Sequence, residues 1–125
     1  MTYGRKMAVL SATLLCIHGL IEIMMPLFLV LFSIDPSNIG VDVFQTGGAA
    51  LIGGAVWGSI RITTAWGIAL MKRWAVVLGI LMSTITMTAS MNILPAGLLD
   101  LAFSAPVLVL LLYLVFENAS LSVGD

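Results

Sequence analysis

The stretch that decides the fold runs from Val43 to Trp74 and reads VFQTGGAALIGGAVWGSIRITTAWGIALMKRW. Between Val43 and Met71 the only charged side chain is that of Arg61. About 20 apolar residues in a helix cross the hydrocarbon core of a bilayer. This longer run therefore predicts a membrane-spanning helix that is tilted, bent or emerges into the interface at one end.

Small residues recur every four positions in this predicted helix, at Ala50, Gly54 and Gly58. Residues at that spacing lie on one helix face, and small side chains there let two helix backbones approach closely in lipid. We expect Ala50, Gly54 and Gly58 to form a helix-packing ridge. The alternative is that glycine is simply common in membrane helices and has no packing role here.

The composition of the whole chain agrees with a membrane protein. Of its 125 residues, 61% are hydrophobic and 9% are charged, whereas soluble domains carry about 25% charged residues. A net charge of −1 argues against nucleic-acid binding. Cys16 is the only cysteine, so no disulfide can form within the chain. The length predicts one domain over residues 1–125.

Four apolar segments predict an all-α membrane protein, an antiparallel bundle of four transmembrane helices. The predicted spans cover approximately residues 7–32, 43–71, 74–94 and 98–116. The first is too long for the apolar region of a cleavable signal peptide and is interpreted as an uncleaved span. Because only Met71 to Arg73 separates the second span from the third, those two helices are expected to be antiparallel neighbours.

The cations outside the spans predict the orientation. Arg5 and Lys6 precede the first span, and Lys72 and Arg73 join the second to the third, so all four lie on one side of the predicted bundle. Loops rich in lysine and arginine stay in the cytoplasm. We therefore expect both termini on the cytoplasmic side.

Three strongly polar residues are predicted deep in the membrane: His18, Glu22 and Arg61. At 1.5 Å per residue from the cytoplasmic face, their depths are about 17, 23 and 16 Å. His18 and Glu22 share a face of the first helix. Glu22 and Arg61 differ in depth by about 7 Å, so a charge pair between them with His18 alongside is expected.

Three interpretations of this cluster remain open. The first is a structural ion pair that fixes the register of two helices. The second is a proton or ion path, or a pocket for a polar headgroup, built on Glu22 and His18, since intramembrane ionisable residues mark such sites. Contact with a larger complex is a third possibility. Asp100, near the start of the fourth span, is interpreted as a helix N-terminal charge or, with Asp42, as an acidic mouth for cations.

Metal, cofactor and catalytic sites are not predicted. His18 and Glu22 are only two ligands, and no further histidine or cysteine stands at helical spacing to complete a metal shell. The sequence contains none of the common catalytic or nucleotide-binding motifs, so no enzymatic activity is expected.

The segment from Gly54 to Ile80, GAVWGSIRITTAWGIALMKRWAVVLGI, resembles small prokaryotic four-helix membrane families of unassigned function, including DoxX-like ones. In those families a glycine-rich second span carries a mid-membrane arginine and ends in a basic turn closed by tryptophan. The matching residues are Gly54, Gly58, Arg61, Gly67, Leu70, Lys72, Arg73 and Trp74. The resemblance implies a four-helix architecture in a prokaryotic cytoplasmic membrane and implies no activity.

The sequence thus supports two hypotheses of function. The first is a non-enzymatic membrane protein that packs through the ridge of Ala50, Gly54 and Gly58, either on itself or as an accessory subunit of a larger membrane complex. The second is a small transporter or proton-coupled carrier that uses His18, Glu22 and Arg61. In both, the expected partner of the outer surface is the lipid bilayer.

Overall fold

The computed structural model describes residues 2–32, 48–95 and 97–117, apart from the side chains of residues 29, 30 and 48–51. This part of the chain is all-helical and contains four helices. They are α1 (Tyr3–Leu31), α2 (Gly48–Ala69), α3 (Arg73–Asn92) and α4 (Leu98–Glu117). The predicted all-α class with four helices is confirmed, while residues 43–47 of the predicted second span lie outside the described residues.

Three of the described helices are long and apolar enough to cross a membrane: Tyr3–Phe28, Arg73–Asn92 and Leu98–Glu117. α2, the helix that carries Arg61, is not among them. Large apolar side chains cover the outside of the molecule, with Trp66 71% and Phe116 84% exposed. So much exposed apolar surface is typical of a protein face that meets lipid or another protein.

The turn between α2 and α3 has a defined backbone geometry. Met71 adopts a left-handed conformation, with φ of 59°. The Met71 N–H donates to the carbonyl of Ile68, and the Lys72 N–H donates to that of Gly67. This pair of bonds is the Schellman motif, which satisfies the last carbonyls of a helix and ends it. The chain therefore reverses within three residues, as the short turn predicted.

The helices form a closed ring in which each packs antiparallel against the next. Along α1 and α2 the direction is visible from Gly19 lying against Gly58 and Glu22 lying against Gly54. Between α2 and α3, Gly67 lies near Ala75 and Arg61 near Thr86. Between α3 and α4, Gly79 lies near Leu111 and Ser90 near Gly97. Between α1 and α4, Tyr3 lies near Tyr113 and His18 near Asp100. The start of α1 and the α2–α3 turn consequently share one end of the bundle, hereafter the basic end.

The apolar core fills the half of the bundle next to the basic end. Its fully buried members include Leu15, Ile68, Val76 and Leu111, one from each helix. Polar side chains are buried beyond this layer, further from the basic end. On α3 the hydroxyl side chains of Ser83, Thr86 and Ser90 are buried, whereas Thr84, Thr88 and Asn92 are exposed and bond to carbonyls of their own helix.

Candidate functional site

Arg61 is the centre of a buried polar cluster that joins three helices. Its side chain is fully buried in α2. Nε donates a hydrogen bond to Glu22 Oε2 on α1 at 2.7 Å, and Nη2 donates to Thr86 Oγ1 on α3 at 2.6 Å. The ring of Trp57 lies 5.9 Å from the guanidinium carbon. Nη1 has no hydrogen-bond partner among the described residues. The guanidinium of Arg61 therefore donates hydrogen bonds to side chains on both neighbouring helices, α1 and α3.

Glycines bring Arg61 within reach of Glu22. A Cβ atom at Gly58 would lie 2.5 Å from the carbonyl oxygen of Gly19, and a Cβ at Gly54 would collide with the carbonyl oxygen of Glu22. Only a residue without a side chain permits that approach of α1 and α2. Because Arg61 lies one turn beyond Gly58, the close approach places its side chain beside the same part of α1.

His18 extends the cluster to the fourth helix. Its side chain is 1% exposed, and its ring stacks on Phe103 of α4 at a centroid distance of 5.2 Å. Nε2 lies 3.0 Å from Asp100 Oδ1 and 3.8 Å from Glu22 Oε1. The other ring nitrogen, Nδ1, is buried and has no partner in the described part of the chain. Nε2 is therefore the atom through which His18 contacts both carboxylates.

The cluster is closed towards the core and partly open at Asp100. The Asp100 side chain is 38% exposed, compared with 18% for Glu22 and complete burial for Arg61. Asp100 is the third residue of α4 and lies only about 3 Å along the axis from the first residue of that helix. The cluster is therefore exposed mainly through Asp100, near the start of α4 and away from the basic end.

The charges of the cluster cancel only if the imidazole of His18 is protonated. Glu22 and Asp100 contribute two carboxylates, and Arg61 is the only guanidinium or ammonium group that the described residues place on them. With a neutral imidazole at His18, the sum is one negative charge. Charges interact more strongly where water is excluded, and an unbalanced one is costly there. With a neutral imidazole the cluster therefore favours one further positive charge, either a proton on His18 or a bound cation.

Three donor atoms of the cluster converge. His18, Glu22 and Asp100 each offer one nitrogen or oxygen atom, and these three atoms lie within 4.8 Å of one another. In the sequence only His18 and Glu22 stand as possible ligands, because no further histidine or cysteine lies at helical spacing. The fold adds Asp100 from α4 as a third, which is the number of protein ligands in many metal sites with an open position.

The structure brings together the residues that sequence analysis singled out, His18, Glu22 and Arg61. Gly54 and Gly58, two residues of the predicted packing ridge, lie against α1. The side chain of Ala50 and the whole of Asp42 lie outside the described part of the chain. Sequence analysis missed the contacts of Asp100 and Thr86. The position of Asp100 beside Glu22 could have been predicted from its depth in the fourth helix, since Asp100 stands 16 residues before Phe116. That spacing gives about 24 Å from the basic end, beside Glu22.

In comparisons with known proteins, the chain matches no family model, no curated protein and no solved structure. A function for this chain therefore has to be inferred from the geometry of its own residues.

Proposed function

We propose that the protein is a multi-pass integral membrane protein whose four helices all cross the bilayer. Three helices have the length and apolar composition of a span. α2 supports a fourth crossing because it closes the ring between α1 and α3, and its Arg61 points to Glu22 and Thr86 instead of lipid. An intramembrane charge that faces the bundle interior is the usual arrangement in such proteins. This architecture is the one implied by the resemblance to DoxX-like families.

In this proposal the basic end faces the cytoplasm. Arg5, Lys6, Lys72 and Arg73 lie together there, which is the distribution that the positive-inside rule associates with the cytoplasmic side. Both termini are then cytoplasmic, and the membrane is the cytoplasmic membrane of a prokaryote. Asp100, near the opposite end, faces the outer side and gives the cluster its access.

The function that the geometry supports best is transport of a cation by a small membrane carrier. The observation that carries this proposal is the position of His18 Nε2, which lies 3.0 Å from Asp100 and 3.8 Å from Glu22. Two carboxylates converge there on one imidazole, and Arg61 balances only one of them. With a neutral imidazole at His18, the cluster carries an excess negative charge that is reached through a half-exposed carboxylate and is suited to bind a cation on its way across the membrane.

The packing hypothesis has less support. The faces of Gly54 and Gly58 are occupied by α1 of the same chain, so these glycines are not free to receive a second molecule. A role as an accessory subunit would require a different surface. The polar cluster, by contrast, contains more ionisable groups than a register-fixing ion pair requires, because Asp100 and His18 add to Glu22 and Arg61.

The test is electrical. Proteoliposomes adsorbed on a solid-supported membrane are exposed to concentration jumps of protons, Na⁺ or Mn²⁺, and the transient current is recorded. We expect at least one of these cations to produce a current that disappears in Asp100→Asn. Glu117→Gln is the matched control, because Glu117 ends α4 at the basic end, away from the cluster, and should keep the wild-type current.

Folding of each variant is checked by its elution profile and helical circular dichroism in detergent. A folded wild-type protein that gives no current with any of these cations would overturn the proposed transport. Equal currents from the wild-type protein and Asp100→Asn would show that the cluster is not the path.

A further inference from the structure

We infer that His18, Glu22 and Asp100 form a binding site for a divalent first-row transition-metal ion, with Arg61 holding Glu22 in position. The inference rests on the proposed function, since it names the class of cation that the carrier takes. Its ligand atoms are His18 Nε2, Glu22 Oε1 and Asp100 Oδ1, drawn from α1 and α4.

The spacing of the donor atoms suits a metal ion. Nε2 lies 3.0 Å from Asp100 Oδ1 and 3.8 Å from Glu22 Oε1, and all three donor atoms lie within 4.8 Å of one another. In a tetrahedral site with bonds of about 2.0–2.1 Å, neighbouring ligand atoms are about 3.3 Å apart. The two distances from Nε2 fall on either side of that value, and side-chain rotations that also bring the two carboxylate oxygens together, from a separation of up to 4.8 Å, would complete the geometry.

The types of donor select the class of ion. One imidazole nitrogen with two carboxylate oxygens suits ions such as Zn²⁺, Mn²⁺ and Fe²⁺. Mg²⁺ and Ca²⁺ prefer oxygen-only shells, and Cu⁺ prefers sulfur ligands, which this cluster does not contain. Three protein ligands leave a further position for water, as in catalytic zinc sites, whereas structural sites are closed by four.

Arg61 acts as the positioning residue of the site. Its Nε bonds to Oε2 of Glu22 at 2.7 Å, which fixes the carboxylate and leaves Oε1 directed towards His18. Partners of this kind orient metal ligands in many proteins. The positive charge of Arg61 also weakens the attraction between the cluster and a metal ion. Such moderate binding fits a transported ion, which has to leave the site again.

The burial of the ligands gives the order of approach. Asp100 is the most exposed of the three, Glu22 is less exposed, and His18 is buried. An ion arriving at the start of α4 meets the Asp100 carboxylate first, loses water there, and reaches His18 Nε2 behind it. Asp100 therefore combines two roles, in attracting the ion and in ligating it.

The experiment measures equilibrium binding of Zn²⁺ to the full chain in detergent, purified without a polyhistidine tag. Isothermal titration calorimetry gives affinity and stoichiometry, and elemental analysis of the dialysed protein gives bound zinc. We expect equimolar binding that a large excess of Mg²⁺ does not displace. His18→Gln and Asp100→Asn should each weaken binding by about tenfold or more, since loss of even an outer-shell partner costs about 10–100-fold.

Two control variants keep the result specific. Cys16→Ser removes the only thiol, and Glu117→Gln removes a carboxylate of the same helix as Asp100; both should bind Zn²⁺ like the wild-type protein. X-ray absorption of the zinc-loaded protein should show nitrogen and oxygen neighbours at about 2.0–2.1 Å and no sulfur at about 2.3 Å. If the folded wild-type chain does not bind Zn²⁺, or if Cys16→Ser abolishes binding while His18→Gln and Asp100→Asn do not, the inference is overturned.

The two proposals fail separately. Proton or Na⁺ currents from a protein that binds no Zn²⁺ would overturn the metal site and leave cation transport standing. Equimolar Zn²⁺ binding that depends on His18 and Asp100, in a protein that gives no current, would support the metal site and overturn transport.

Discussion

Arg61 Nε donates a 2.7 Å hydrogen bond to Glu22 Oε2 across the contact of α1 and α2. The Arg61 side chain is fully buried and that of Glu22 is 18% exposed, so water solvates neither charge well and each is stabilised mainly by the other. Each charge therefore depends on its partner more strongly than it would at a water-exposed surface, where such pairs contribute about 0–1 kcal/mol.

A double-mutant cycle on this pair should reveal strong coupling. Glu22→Gln leaves the guanidinium of Arg61 without its counter-charge, and breaking a buried pair in this way costs about 3–5 kcal/mol of unfolding free energy. Arg61→Met also destabilises, but the double variant should lose less than the sum by about 0.5–3 kcal/mol. Unfolding of the detergent-solubilised protein, followed by circular dichroism, measures all three; additive losses would contradict the coupling.

Thr86→Val should destabilise the bundle more than Thr84→Val. The Thr86 hydroxyl is buried and accepts a 2.6 Å bond from Arg61 Nη2, and interhelical bonds of side chains in membranes average about 0.6 kcal/mol, with a maximum of about 1.7. Thr84 is the matched control, because its exposed hydroxyl bonds to the Ile80 carbonyl within α3. The same unfolding assay checks both, and equal losses would show that the Arg61–Thr86 bond adds nothing.

Gly58→Ala should destabilise the α1–α2 contact, whereas Gly53→Ala should not. A Cβ at Gly58 would lie 2.5 Å from the Gly19 carbonyl oxygen and 2.6 Å from Ile23 Cγ1, while a Cβ at Gly53 meets nothing within 4 Å. Overpacking of this kind costs about 1–3 kcal/mol. Replacing an unconstrained helical glycine by alanine gains up to about 1 kcal/mol. Thermal denaturation in the same detergent compares the two, and similar melting temperatures would refute the close approach.

Labelling of single cysteines tests the proposed orientation. In a Cys16→Ser background, Thr2→Cys lies at the basic end and Leu94→Cys lies in the turn between α3 and α4 at the opposite end; both positions are exposed. A membrane-impermeant maleimide applied to intact cells should label Leu94→Cys and not Thr2→Cys, and lysis should make Thr2→Cys reactive. The reverse pattern would place the basic end outside. Equal labelling of Thr2→Cys and Leu94→Cys in intact cells would contradict a single orientation of the protein in the membrane.

The sequence predicted the helices closely because length and apolar composition are local properties. The fourth span was predicted over residues 98–116, and α4 runs from Leu98 to Glu117. α1 begins at Tyr3, four residues before the predicted start at residue 7. Arg5 and Lys6 end the apolar run but are good helix formers, so the helix continues through them.

The sequence by itself determined which residues share a depth, because the constant rise of a helix converts residue number into height. That was sufficient to place His18, Glu22 and Arg61 at similar levels. Only the tertiary structure decided that Asp100 and Thr86 complete the cluster. Contacts between helices set which helix neighbours which and how each is rotated about its axis, and here the approach of Gly58 to Gly19 and the packing of α4 on α1 fix both.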